Sequence, residues 1–181
     1  MTPRRFAFLL GSARADGATE WLARRAAESL DPATTQTWLR LKDLPLPRFE
    51  DLRHPTPAFP PPQGPEKLLF DSTVDASDLV FVAPVYWYSL PSLLKHYLDY
   101  WSAWMRVPDA HFKSRMAGKS LWLVTTSTGN VEEFEPMRMS VAMSAEYMQM
   151  NFRGALLCNA SRPDDIFDDR EAMVRASRFF D

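Results

Sequence analysis

The chain alternates short, almost wholly apolar runs with longer stretches in which apolar residues recur every three or four positions. Phe6 to Leu10 and Asp78 to Ala83 are runs of the first kind and read as strands buried on both faces, as in a parallel sheet. Leu121 to Thr125 and Phe152 to Cys158 repeat the pattern, and Gln36 to Leu41 alternates polar with apolar, so that five strands are predicted. Between the first two, Trp21, Leu22, Ala26 and Leu30 form one stripe of a helix predicted over Thr19 to Leu30. Further helices are predicted from Glu66 to about Ala76, from Glu135 to Met148 and from Asp168 to Phe180. The strongest stripe is Leu90, Leu93, Leu94, Tyr97, Leu98, Trp101, Trp104 and Met105. Its two tryptophans exceed one core face, which predicts that part of this helix forms a two-fold dimer seam.

Strands alternating with helices imply right-handed crossovers, and hence an α/β fold: a five-stranded doubly wound parallel sheet with helices on both faces. A length of 181 residues suits a single domain over 1–181. The pattern fails in one place, where eight of the fifteen prolines fall between Pro45 and Pro65. Proline lacks the amide donor and fixes φ, so 45–65 is predicted to be a Pro-rich surface loop, and a tolerated one rather than a cap on a neighbouring subunit's site.

Composition narrows the function by exclusion. A formal net charge of −2 offers no broad attraction to nucleic acid or to an anionic membrane. No apolar run reaches a membrane-spanning length, and the start shows no secretory leader, so the expected compartment is the cytoplasm. The single cysteine, Cys158, makes neither an internal disulfide nor a cysteine cluster, and His54, His96 and His111 lack ligand spacing, so no metal is expected.

The candidate chemistry sits where strands end. Gly11-Ser12-Ala13-Arg14-Ala15-Asp16-Gly17-Ala18-Thr19 leads from the first strand into the first helix. Such a turn presents unpaired amides at the positive end of a helix dipole, which suits a phosphate. Ser12 and Thr19 add hydroxyls, Arg14 a charged fork, and Gly11 and Gly17 permit close backbone approach. On these residues alone the loop is equally a capped helix start with a solvated arginine. A second loop, Ala83-Pro84-Val85-Tyr86-Trp87-Tyr88-Ser89-Leu90-Pro91, places three aromatics at the carboxyl end of a buried strand, where an open α/β sheet receives a flat ligand. Two nucleotide signatures are absent: there is no G-x-G-x-x-G, and Gly118-Lys119-Ser120 precedes a strand and has Lys113 where a P-loop needs its first glycine. His111, Lys113, Arg115 and Lys119 read as a solvated basic loop, and Lys95 with Asp99 as a structural helical pair.

Gly11-Ser12-x-Arg14-x-x-Gly17-x-Thr19, Pro84-x-Tyr86 followed by Pro91-x-x-Leu94-Lys95-x-x-x-Asp99, and Thr125-Thr126-Ser127-Thr128-Gly129-Asn130 together resemble the flavodoxin-like NAD(P)H-dependent FMN reductase family. The resemblance implies a flavodoxin-like fold, FMN as cofactor and NAD(P)H as electron donor. It implies that Ser12, Arg14, Gly17, Ala18 and Thr19 hold the ribityl phosphate. Pro84, Val85, Tyr86, Trp87, Tyr88 and Ser89 would border the isoalloxazine, and Thr126, Ser127, Thr128 and Gly129 its pyrimidine edge. No catalytic acid or base is implied, because the flavin carries the chemistry. The implied reaction moves two electrons, as a hydride through flavin N5, to a small-molecule quinone-, azo- or flavin-like acceptor in a homodimer or dimer of dimers. Two positions depart from the family pattern: Asp16 puts a carboxylate inside the phosphate loop, and Gly17 stands where many members have serine. Two alternatives stay open, a flavodoxin-type electron carrier and a non-catalytic flavodoxin-fold protein that binds a partner.

Overall fold

The computed structural model describes residues 3–55 and 58–181. Five parallel strands, β1 (Arg5–Leu10), β2 (Thr35–Arg40), β3 (Asp78–Val82), β4 (Ser120–Ser127) and β5 (Asn151–Asn159), form one sheet in the order β2-β1-β3-β4-β5. This is the doubly wound flavodoxin-like order, in which the chain switches direction between β1 and β3 and opens a crevice at their carboxyl ends.

Alternation along each strand divides the core in two. Phe6, Phe8, Leu10, Val80, Val82, Trp122 and Val124 face α1 (Ala18–Ala27) and α6 (Arg170–Ala176), meeting Leu22, Ala26, Ala172 and Phe180. Ala7, Leu9, Leu79, Phe81, Leu121 and Leu123 face the other way, onto α2 (Gly64–Asp75), α3 (Ser92–Trp104) and α5 (Val131–Tyr147). Burial on both faces is why the middles of β1, β3 and β4 are continuous apolar runs.

Several expectations needed correction. The closing helix is short: a 3-10 turn at Pro163–Phe167 comes first, and the Asp169 carboxylate accepts the Ala172 amide at 2.9 Å to start α6 afresh. Helix α5 begins at Val131 rather than Glu135 and runs through Pro136, forgoing that residue's amide bond. The basic stretch before β4 is not a solvated loop. It contains a short helix, α4 (Phe112–Met116), whose Phe112 and Met116 are buried, while Lys119 Nζ donates to the carbonyls of Val74, at 2.9 Å, and Ala76.

The two tryptophans of α3 are used within the chain. Trp104 is fully buried against Phe70 and Phe112, with its Nε1 donating to Glu66 at 2.9 Å, and Trp101 packs on Phe81 and Phe112. The described part of the Pro-rich segment supplies more of the cover. Leu46, Phe49 and Phe59 pack on the core, and the Pro47 carbonyl accepts from Tyr100 Oη at 2.9 Å and lies 2.8 Å from His96 Nε2. The segment is thus a strap across α3; Thr56 and Pro57, which belong to the expected loop, lie outside the described residues.

Candidate functional site

Each candidate loop leaves the carboxyl end of a strand beside the crevice. Gly11 follows β1 and donates its amide to Val82 O at 2.9 Å. A side chain there is impossible, because a Cβ would lie 2.7 Å from the Cβ of Leu94; glycine lets α3 close over the crevice floor. The chain then turns, the Ser12 hydroxyl accepting the Arg14 amide at 3.1 Å, and enters α1 at Gly17. No side chain caps that helix, so its first amides keep no partner from a cap. Among the described residues the Arg14 guanidinium forms no ion pair, and it stands exposed beside those amides.

Ser12, Arg14, Gly17, Ala18, Thr19, Pro84, Val85, Tyr86, Thr126, Ser127 and Thr128 line one cavity of about 180 Å³. Trp87, Tyr88, Ser89 and Gly129 do not line it. Trp87 and Tyr88 project from the hairpin next to Tyr86, Ser89 closes that hairpin, and Gly129 turns toward a neighbouring cleft with Asn130, Arg138 and Arg175. The cavity also includes Ala160 and Ser161, which sequence reasoning missed. They follow β5 and are brought in by the Ala160 amide, which donates to Ser127 O at 3.1 Å.

One contact joins two of the candidate loops. The hydroxyls of Thr19 and Thr126 share a buried hydrogen bond of 2.6 Å, tying the start of α1 to the end of β4. A second tie runs from the Val85 amide to Thr126 O at 3.0 Å. These two bonds link all three loops.

The electrostatics favour an anion at one end. Glu20, buried in the first turn of α1, is neutralised by Arg24, with Nη2 at 2.8 Å from Oε1, and by Arg40, with Nη1 at 2.8 Å from Oε2. Burial pushes its carboxyl up, but hydrogen bonds and charge from Arg24 and Arg40 outweigh that and hold it below the ordinary carboxylate value. Asp16 adopts a left-handed φ of 53°, and its carboxylate is 78% exposed with Arg40 at 3.7 Å. It points to solvent, not into the loop it belongs to.

Trp87 and Tyr88 also have left-handed φ values, 50° and 61°. For bulky side chains each costs on the order of 1–2 kcal/mol. A larger concavity lies elsewhere, a groove of about 640 Å³ between α3 and α5 whose lining includes Leu98, Trp101, Met105, Met139, Met143 and Tyr147. Its lining is mainly apolar, with the serines Ser102, Ser140 and Ser144 among it, and it carries no charged side chain, which sets it apart from the crevice.

The sequence model of the NADPH-dependent FMN reductase family matches residues 4–159, a span that includes all three loops. The chain belongs to this family. A Bacillus subtilis (strain 168) protein, provisionally named an NAD(P)H-dependent FMN-containing oxidoreductase, is 29% identical over 176 residues, covering 96% of this chain and 95% of its own. Among solved structures, the Trp repressor binding protein of Bacillus subtilis superposes with a TM-score of 0.76 at 24% identity, covering 97% of each chain. An FMN-dependent NADH-azoreductase from Bacillus anthracis, solved in complex with FMN, gives 0.64 at 12% identity, covering 98% of this chain and 100% of its own. These two likenesses establish the flavodoxin-like fold. Family membership makes this chain an NAD(P)H-dependent FMN oxidoreductase, a flavoprotein.

The crevice residues fit that cofactor. The end formed by the start of α1 offers hydroxyls, uncapped amides and the exposed Arg14 guanidinium, a donor set suited to a dianionic phosphate.

Proposed function

We propose that the crevice holds FMN with its phosphate on Ser12, Arg14, Gly17, Ala18 and Thr19. The isoalloxazine would lie along Pro84 to Ser89, with its pyrimidine edge toward Thr126, Ser127, Thr128 and Gly129. The chemistry FMN supplies there is uptake of a hydride from NAD(P)H at N5 and delivery of two electrons to a quinone-, azo- or flavin-like small molecule. One observation carries this reading: the lining contains no carboxylate, imidazole or amine. A lining of hydroxyls, one phenol (Tyr86) and one guanidinium suits binding and orienting, and the reaction is left to what it binds.

Each element has a separate task. Arg14 and the α1 amides neutralise and fix the phosphate, the Thr19–Thr126 hydrogen bond holds the crevice walls at constant spacing, and Tyr86 walls the ring side. A cavity of about 180 Å³ is smaller than a pocket that encloses a whole ligand, typically ~300–1,000 Å³. It would hold FMN only in part and leave one face of the planar ring open, as donor and acceptor in turn require. Shared access to one open face favours ping-pong kinetics.

The groove between α3 and α5 supports a two-fold dimer, with the apolar Met139, Met143 and Tyr147 more than half exposed beside Leu98 and Met105. Methionine packs adaptably, which suits a surface meeting its own copy.

The test is anaerobic. The purified protein is titrated with FMN, then with NADPH or NADH, and the visible spectrum is followed. The reading expects stoichiometric binding, bleaching by one of the nucleotides, and recolouring by a quinone with parallel double-reciprocal lines. Bound flavin that ignores both nucleotides would replace the reductase with an electron carrier. Intersecting lines would remove the shared face.

A further inference from the structure

Tyr86 and Ser89 exchange both backbone hydrogen bonds, from the Tyr86 amide to Ser89 O at 3.1 Å and from the Ser89 amide to Tyr86 O at 3.0 Å. Trp87 and Tyr88 are therefore the two central residues of a two-residue hairpin, both with positive φ. Turns of that class favour Asn-Gly or Gly-Gly, the residues that reach left-handed φ most easily. Here the chain places its two bulkiest kinds of ring there instead. Neither ring joins either hydrophobic core, and Trp87 is 92% exposed. Backbone strain and a wetted indole are both unfavourable to folding, so fold stability accounts for neither residue.

Position supplies the missing reason. Tyr86, the residue before the turn, lines the crevice, and the hairpin base is fixed by the bond from the Val85 amide to Thr126 O. The two rings thus stand next to a residue of the cavity wall, on a hairpin tied to β4 and outside the cavity lining. We propose that Trp87 and Tyr88 form a raised aromatic rim that captures planar aromatic electron acceptors and so selects their class. The inference rests on the FMN reading of the crevice. A ring already exposed and held by a tight turn loses little freedom when a flat molecule stacks on it, and it sheds the water it had been forced to carry.

The double variant Trp87→Asn/Tyr88→Gly installs the pair that the turn favours, which removes both rings and keeps the hairpin. Three readouts are expected. The melting temperature of the FMN-free protein rises by about 2–4 °C as the strain is relieved. The dissociation constant of anthracene-2-sulfonate, a flat aromatic probe, weakens about tenfold by calorimetry on the FMN-loaded protein. The ratio of kcat/KM for a naphthoquinone to that for ferricyanide, which accepts electrons without stacking, falls by about the same factor. An unchanged probe affinity with an unchanged ratio overturns the proposal, as does a loss confined to reduction by NAD(P)H. A lower melting temperature in the variant overturns the strain argument on which the rim rests. Wild-type protein that never takes up FMN sinks the cofactor reading first, and the rim with it.

Discussion

The two ends of the central strands are built on opposite principles. At the amino end, Arg4 makes a paired contact with Asp78, Nη2 to Oδ1 at 2.7 Å and Nε to Oδ2 at 3.2 Å, and its Nη1 donates to Phe180 O at 2.7 Å. Trp122 Nε1 at 3.0 Å and Ser77 Oγ at 2.8 Å complete the Asp78 carboxylate. Lys119 closes the carbonyls of Val74 and Ala76. At the carboxyl end, Arg14 and the start of α1 keep their donors uncommitted. The same sheet carries both, so the contrast separates residues that hold the fold from residues that wait for a ligand. A polar group satisfied by the protein contributes stability, and one left open contributes affinity.

The largest effect expected from that contrast is at the closed end. Asp78→Ala leaves Arg4 unpaired and the buried Trp122 N–H without an acceptor, a loss of about 3 kcal/mol. That corresponds to a fall of roughly 6–12 °C in Tm for a chain of this size. The dissociation constant for FMN is expected to stay within about twofold of wild type. The same cluster sets a pH dependence. Burial raises the Asp78 pKa, but hydrogen bonds from Arg4, Trp122 and Ser77, with the charge of Arg4, hold it below the ordinary value. A depressed carboxylate contributes stability that is complete above its unfolded pKa of about 3.9 and is lost as pH falls through the folded value. Thermal unfolding measured between pH 6 and pH 2.5 should therefore drop more steeply in wild type than in Asp78→Asn. Parallel curves would remove Asp78 from the acid response.

Arg14→Ala is the mirror experiment. Losing charge-assisted bonds to a phosphate is worth about 2 kcal/mol, so the dissociation constant for FMN should rise about 30-fold by fluorescence titration. The FMN-free Tm should move by less than about 1–2 °C, since Arg14 is exposed and outside every ion pair among the described residues. A large stability loss with unchanged FMN affinity would place Arg14 in the first class and undo the division.

Thr126→Val lies on the boundary and is expected to show both effects at reduced size. It leaves the Thr19 hydroxyl buried without its 2.6 Å partner, a cost of about 1–2 kcal/mol in thermal unfolding. The loosened α1 start should also weaken FMN several-fold. A change in stability alone would make the threonine pair a structural tie and nothing more.

How much of this was legible beforehand follows the same division. Both-face burial gave β1, β3 and β4 their unbroken apolar runs, so the sheet and its five strands were readable, whereas the true ends of β4 and β5 were not, because their last residues turn polar. The loops of the crevice were readable because they follow directly from those strands. Ala160 and Ser161 carried no signal of their own; only the pairing of β5 with β4 brings them to the cavity. The direction of the Asp16 carboxylate depended on one left-handed residue and on Arg40, a residue of β2 far off in the chain. The apolar residues within the Pro-rich segment were visible as letters, but their packing on α3 required the Pro47 carbonyl to meet His96 and Tyr100. Trp87 and Tyr88 broke a local turn preference, and that kind of conflict marks function more often than error.

The smallest expected effect tests whether the open end is open by degree. Gly17 is the N-cap of α1, with φ −78° and ψ 166°, a conformation any residue adopts. A Cβ added there meets nothing nearer than the Arg14 Cβ at 3.9 Å, so glycine is not required by space or by strain. Gly17→Ser supplies a hydroxyl at the N-cap, worth a few tenths of a kcal/mol to the helix and about 1 °C in Tm. Gly17 lines the cavity, so a hydroxyl turned that way would add one donor to the proposed phosphate set, and the dissociation constant for FMN should fall two- to fivefold. The two gains compete, because a hydroxyl that turns inward to cap α1 is lost to the phosphate. A variant that gains melting temperature but not FMN affinity would show the serine satisfied by the protein, the logic of the closed end carried into the open one. A variant that gains FMN affinity with no change in the FMN-free Tm would show a donor still waiting, as Arg14 waits.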